Sequence, residues 1–354
     1  MIFNEAVTSV TRSFIVPTAY DTITKGSPML LTFFGTAKQW KTGTAYEVIV
    51  KTNDTTNGGN VGISDKLDTD RQNVRTKMIF EPKMATKPVV VAQIESTLNQ
   101  GDQQVIDLIE TEFDSQAQSL SMLMAANLFT GTGVGNAWDS LFNAADDGTN
   151  FSVYGTKSRA TFPSLRGYYL AGTGALTLAK LATAYDATTV GMDMPNRVVT
   201  TKAIWSTYES LQTPTVNATY MTNGYPTMNA YGDMISGGHA GLQGNGGFSV
   251  LFYRGTPVIK DEQVPTGKIF MLNTNYFGFK GIKILGGNIK QLNFKKANAG
   301  VPEGVVGRIP STYGFNFRDM MSPVDQLAEV GHLIYAGNFI SENPRLQCQM
   351  VGAN

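Results

Sequence analysis

One cysteine, Cys348, stands in 354 residues, which excludes an intrachain disulfide framework and leaves the redox compartment open. Histidine is almost as scarce. His239 and His332 are far apart and lack the Cys/His spacing that zinc requires, so no metal site is expected. Long apolar runs are missing too: VVVA at 89–92 is typical, and nothing reaches the length of a membrane span. The N-terminus has no basic segment followed by an apolar one, so no signal peptide is read. Charged residues make up only 16%, and Lys+Arg (28) balance Asp+Glu (28), which removes any overall attraction to nucleic acid.

The motifs of common enzymes are equally absent. There is no GxxxxGK[ST] segment and no serine flanked as in GxSxG. Gly131, Gly133 and Gly135 follow a helix, whereas a dinucleotide loop must follow a strand and open one. Asp146–Asp147 before Gly148 reads as a turn more simply than as an acid/base or metal pair. No cofactor is implied, and the expectation is a protein that is not an enzyme.

What the chain has instead is a long periodic stretch, Gly101 to Phe129. Ile106, Ile109, Phe113, Ala117, Leu120, Met124 and Leu128 recur three or four apart, which puts an apolar stripe on one helix face. Asp102 is placed to cap its start, and the glycines at 131 and 133 stop it. At 1.5 Å per residue it would run roughly 40 Å. Such a helix suits either the backbone of a flat, elongated subunit or the core of a larger α/β domain. The length allows one to three domains, and Thr, Asn, Gln and Ser take the place of charge on a surface suited to contact with copies of itself.

Charge is segregated along the chain. Between Lys87 and Lys157 there are acids and no Lys or Arg; between Glu262 and Glu303 there are lysines and no acid. These are either solvated faces of different sign or segments that attract one another. Acids early in the long helix also suit its dipole.

In chain order, residues 1–30, with Pro17 and Pro28, read as an extended arm with little core. KTGTAYEVIVK (41–51) alternates like a strand, and KMIFEPKMATKPVVV (77–91) reads as a return strand broken by prolines. The polar connection at 52–75 is too long for an ordinary loop, and a lone hairpin is marginal in water. It should rest on a neighbour, with Asp65, Lys66, Asp68, Asp70, Arg71 and Arg75 as candidate inter-subunit contacts. Further on, Leu176–Thr189 and Lys202–Leu211 read as helices flanking a buried strand at Asn196–Thr200, an α+β or α/β lobe. Residues 218–247 read as a loop. Phe248–Lys260, Lys268–Asn273 and Tyr276–Leu285 read as strands, Asp325–Tyr335 as a short helix, and Arg345–Val351 as a final strand.

Four stretches carry a resemblance: LFTGTGVGNAWDSLF (128–142), LAKLATAYDATTVGMDMPNRVVTTKAIWSTYESL (178–211), YRGTPVIKDEQVPTGKIFMLN (253–273) and LIYAGNFISENPRLQCQMVGA (333–353). In order and spacing the chain resembles the major capsid proteins of tailed bacteriophages, the Hong-Kong-97-type fold. No single motif is specific; their succession over residues 34–353 is.

The resemblance implies an α+β subunit in four parts. These are an N-terminal arm (1–33), an extended loop or E-loop (34–87), a peripheral domain with the spine helix (88–135 with 280–330), and an axial domain (136–279 with 331–354). It implies hexamers and pentamers closing into an icosahedral shell around double-stranded DNA, bound without sequence specificity and with no membrane. A portal protein and possible cement proteins would be partners, and the virion, assembled in the host bacterial cytoplasm, the location. Family members with a built-in scaffold carry extra residues before the arm, whereas Met1 stands at the arm here, so either a separate scaffolding protein or a prior cleavage is expected, with Met1 favouring the former. On this reading Asp107, Glu110 and Asp114 would face the lumen and keep DNA from adhering.

Some members of the family crosslink an E-loop lysine beside a catalytic glutamate. Lys66 is the only lysine at the loop tip here, and residues 263–302 contain no carboxylate, so no crosslink is expected. An encapsulin-type compartment on the same fold is the nearest alternative. A β-rich surface or adhesion protein is a more distant one.

Overall fold

The computed structural model describes residues 26–353 apart from 41–42, 64–65, 68, 99–107, 223–250, 283, 285–288, 292–314 and 324–326. A short helix, Pro28–Gly35, comes first and leads into β1 (Lys38–Trp40). Then β2 (Tyr46–Lys51) and β3 (Arg75–Phe80) form a hairpin, followed by β4 (Lys83–Ala92) and a short helix, Gln93–Leu98. The spine helix, Leu108–Thr130, ends in the glycine turn, beyond which lie the helix Leu141–Ala144 and the small hairpin of β5 (Val153–Tyr154) and β6 (Lys157–Ser158). Next are β7 (Tyr168–Leu170), the helix Leu178–Ala187, β8 (Arg197–Thr200) and the helix Lys202–Thr222. The remaining strands are β9 (Leu251–Tyr253), β10 (Thr256–Lys260), β11 (Lys268–Leu272), β12 (Phe277–Ile282), β13 (Ile289–Gln291), β14 (Phe315–Met321), β15 (Ala328–Ser341) and β16 (Cys348–Val351).

Two sheets organise the body. In the first, the order is β1-β12-β15-β14-β13, with β4 also on β15. The 14-residue β15 is the common partner: residues 328–337 pair with β4 and residues 337–341 with β12. The handover is at Gly337, which opposes both Lys83 and Gly281 at φ +152, and where a Cβ would run into the Lys280 carbonyl. The second sheet has the order β7-β16-β11-β8-β10-β9.

The spine helix covers the first sheet. Phe113, Ala117, Leu120, Met124 and Leu128 are buried, as the periodicity predicts, and Phe113 meets Phe317 of β14 edge-on at 5.3 Å. Its 23 residues span about 35 Å. The second sheet is covered on both faces, which explains its continuous apolar strands. Val198, Ile269 and Met271 join the core beneath the two helices of that lobe, while Val199, Phe270 and Leu272 join the spine-helix core. Among the described residues no helix is long and apolar enough to cross a membrane.

Several expectations need correction. Residues 28–33 are not an arm without core. Ser27 caps a helix with Pro28 in its first turn, and Met29, Leu30, Phe33 and Phe34 are buried, at about 1.5–3 kcal/mol per side chain. Phe33 packs on Phe277 (5.1 Å) and Phe34 on Tyr335 (5.2 Å). The expected helix at 325–335 is the first half of β15 from residue 328 onward: Gly331, Leu333 and Tyr335 are buried and Val330, His332 and Ile334 less so, a period of two. Residues 218–222 continue a helix, and the rest of the expected 218–247 loop lies outside the described residues. Of the expected strand at 248–260, residues 251–260 are a hairpin turning at Arg254–Gly255, both at positive φ, and 248–250 lie outside the described residues. At the end of the chain, 344–346 is a 3₁₀ turn and the strand begins at Cys348. The boundaries at 279/280 and 330/331 fall inside β12 and β15, so both strands belong whole to the first sheet.

Candidate inter-subunit surface and the junction that carries it

The β2–β3 hairpin pairs Tyr46 with Phe80 through to Lys51 with Arg75, and among the described residues it joins no other sheet. Beyond the last rung the two sides stay tied. Thr52 N donates to Val74 O (3.0 Å), Thr56 N to Gln72 Oε1 (2.9 Å), and Asn57 Nδ2 to Asp70 O (2.7 Å). The polar residues of the connection thus extend the ribbon by side-chain bonds after the strand ladder stops. Tyr46, Val48 and Val50 lean on the body, whereas Ile49 is 74% exposed, Leu67 71%, and Ile63 fully so. Exposed pairs such as Lys77–Glu47 (2.8 Å) contribute little in water.

The hairpin springs from a tightly bonded junction. The glycine turn closes with Gly133 N donating to Trp138 O (3.0 Å) and Ser140 Oγ to Gly131 O. Trp138 then lies among Phe279, Tyr335 and Phe339 at 5.8–6.2 Å. Its neighbour Asp139 binds Asn338, which is wholly buried on β15. Asp139 N donates to Asn338 Oδ1 (3.1 Å), and Asn338 Nδ2 donates to Asp139 Oδ2 (2.7 Å) and to Glu81 O (3.0 Å). Asn143 Nδ2 donates to the other carboxylate oxygen (3.1 Å), and Lys83 Nζ reaches Gly135 O. Burial pushes the Asp139 carboxyl above its usual range, opposed by these bonds and by the Lys83 charge.

A second anchor ties the N-terminal helix to the other sheet. Asp261, just after β10, accepts from Ser27 Oγ, from Met29 N (3.3 Å) and from Gln263 N (2.9 Å). Its carboxyl is also pushed up, chiefly by burial.

Of the residues singled out from sequence, Lys66, Asp70, Arg71 and Arg75 are exposed on the hairpin and its loop. Asp65, Asp68 and Asp107, like the proposed cap Asp102, lie outside the described residues. Glu110 is on the spine helix. Asp114 is half-buried and accepts from Gln118 Nε2 (3.1 Å). Among the described residues, Lys268 and Lys280 of the basic segment form no ion pair with the acidic segment. Lys280 pairs with Glu342 (2.7 Å), and Lys268 sits over the Phe142 ring (3.6 Å). Asp146 and Asp147 do form a turn, with Gly148 N on Asp146 and Thr149 N on Asp147.

Sequence reasoning missed Asn338, Asp139, Lys83, Asp261 and the buried partner of Asp146, Arg159 (3.4 Å). The only signal for three of them was their place within the resembling stretches, with Asp139 in 128–142, Asp261 in 253–273 and Asn338 in 333–353; Lys83 and Arg159 had none. Among the described residues no three His, Cys, Asp or Glu side chains converge as a metal site.

No protein-family model and no curated protein sequence matches the chain. Solved structures do match it. A chain of the cyanophage A-1(L) capsid asymmetric unit aligns over 98% of this chain and 98% of its own, at TM-score 0.71 and 16% identity. One from the holo-SrpI encapsulin complex of Synechococcus elongatus PCC 7942 aligns over 99% and 95%, at 0.58 and 12%. The capsid of a native GTA particle aligns over 99% and 100%, at 0.57 and 10%. The chain has the α+β Hong-Kong-97-type fold of shell-forming subunits.

Proposed function

We propose that this chain is the major capsid protein of a tailed bacteriophage and self-assembles into an icosahedral shell around double-stranded DNA. The observation that carries the reading is end-to-end similarity to capsid subunits, joined to a hairpin that leaves the body with Ile49, Ile63 and Leu67 in water. Apolar surface of that kind is stabilised when a neighbour covers it, and contacts repeated around an axis close into rings. In this reading the subunit's partners are its own copies in hexamers and pentamers, a portal, a scaffolding protein and possible cement proteins. Its place is the virion, after assembly in the host bacterial cytoplasm.

Residues 1–33 would be the arm up to its helical end, 34–87 the E-loop, and the spine-helix and second-sheet lobes the peripheral and axial domains. Lys66, Asp70, Arg71 and Arg75 would set register at the rim. Asp107, Glu110 and Asp114 would face the DNA, and no autocatalytic crosslink would form. The encapsulin likeness supports a second reading, a shell around cargo protein. Expression of the chain with its genomic neighbours, electron microscopy of the product and analysis of its contents test both. DNA-filled particles are expected; cargo protein inside would favour the second reading, and a concentration-independent monomer would end both. A covalent ladder on a denaturing gel would refute the absence of crosslinks.

A further inference from the structure

We propose that residues 146–166 form a clamp that sets the direction in which the β2–β3 hairpin leaves the body, with Gly155 as its seat and the Asp146–Arg159 pair as its lock. Asp146 is fully buried and gathers the loop around itself, accepting from Gly148 N (2.9 Å), Phe151 N (2.9 Å) and Asn150 Nδ2 (2.8 Å). Arg159 is equally buried. Besides Asp146, its guanidinium donates to Phe151 O (2.8 Å), Asn143 O (2.6 Å) and Leu165 O (3.1 Å), and it lies 5.1 Å from the Tyr154 ring centre. A buried ion pair is a poor source of stability and is best attested as a device that fixes one geometry.

What this geometry holds is the base of the hairpin. Ile79 N donates to Gly155 O (3.0 Å), which occupies an amide that β2 leaves free, and Phe80 meets Tyr154 edge-on at 5.2 Å. Tyr154 Oη in turn accepts from Ser341 N (2.8 Å), which fixes the clamp to β15. Gly155 has φ +54, and a Cβ there would come within 2.7 Å of the Met78 Cβ and 3.0 Å of the Phe80 ring. The next residue, Thr156, is β-branched yet also left-handed at φ 64, a conformation kept only where the surroundings impose it. On its open side the clamp borders a cleft of about 400 Å³ reaching to the glycine turn, which leaves the hairpin room to tilt once released.

The consequence for particle form rests on the shell reading; the contact itself does not. The test compares the full chain with Gly155→Ala and with Gly172→Ala, which places the same substitution at φ +60 with nothing within 4 Å. Hydrogen exchange at 75–80 should quicken about tenfold in Gly155→Ala, with particles lost or altered in diameter, and neither should change in Gly172→Ala. If Gly155→Ala does not accumulate folded, the double variant Asp146→Leu/Arg159→Met reads the same exchange without leaving a buried charge unpaired. Parental exchange rates, or parental particles, in the clamp variant overturn the proposal. Should the parent chain itself form no particles, the shell reading fails separately and the exchange ratio alone judges the clamp.

Discussion

The hairpin and the junction beneath it are opposite solutions for polar backbone and apolar side chains. At the junction, Asn338 and Asp139 are buried with their hydrogen bonds made inside the subunit, and Trp138 is surrounded by rings. On the hairpin, one strand pair carries all the regular bonds, and Ile49, Ile63 and Leu67 face solvent. Asn338 and Asp139 satisfy each other within one copy, whereas a two-stranded ribbon is marginal alone. On the proposed shell reading, the difference separates what folds the subunit from what would join it to its copies.

The largest effect expected on the folded subunit is from Trp138→Ala, which empties the ring cluster and should cost about 3–5 kcal/mol in denaturant unfolding. A cost below 1 kcal/mol would mean that the junction is not the keystone described. Asn338→Ala should follow at about 1–3 kcal/mol, because it strands Asp139 and the Glu81 carbonyl.

The pH response should be smaller. The carboxyls of Asp139 and Asp261 are raised above 3.8 in the folded state, so the folded subunit binds more protons than the unfolded chain just above that value. Their contribution is full below the ordinary carboxylate value and lost as pH rises through the folded values. Unfolding measured between pH 3.5 and about 6 should show it, and Asp261→Asn should flatten the slope; an unchanged slope would remove Asp261 as a source.

Smallest for the isolated subunit is Ile49→Ser/Leu67→Ser, expected within about 0.5 kcal/mol of the parent while particle yield collapses. Normal assembly of that variant would erase the contrast between hairpin and body.

Much of the framework was legible because it follows from periodicity. Phe113, Ala117, Leu120, Met124 and Leu128 form the buried face of the spine helix as their spacing predicts. The all-buried strand at 197–200 and the helices on either side follow from local pattern as well. Helix 28–35 carried its own signal, Ser27 before Pro28 and apolar residues at 29, 30, 33 and 34, which its place in an expected arm obscured. For β15 the pattern was ambiguous: Leu333, Ile334, Tyr335 and Ala336 suit either a helix or a strand until their neighbours are known.

By itself, then, the sequence determined the spine helix, the alternating hairpin, a lobe of mixed helices and strands and the lack of metal-binding or nucleophile motifs. These are set by residues close together in the chain. Only the tertiary structure decided that β15 pairs with β4, β12 and β14, that Asn338 locks Asp139 from 199 positions away, and that Asp146 finds Arg159. Such contacts join single polar residues with no period between them, and their partners are chosen by how the sheets pack.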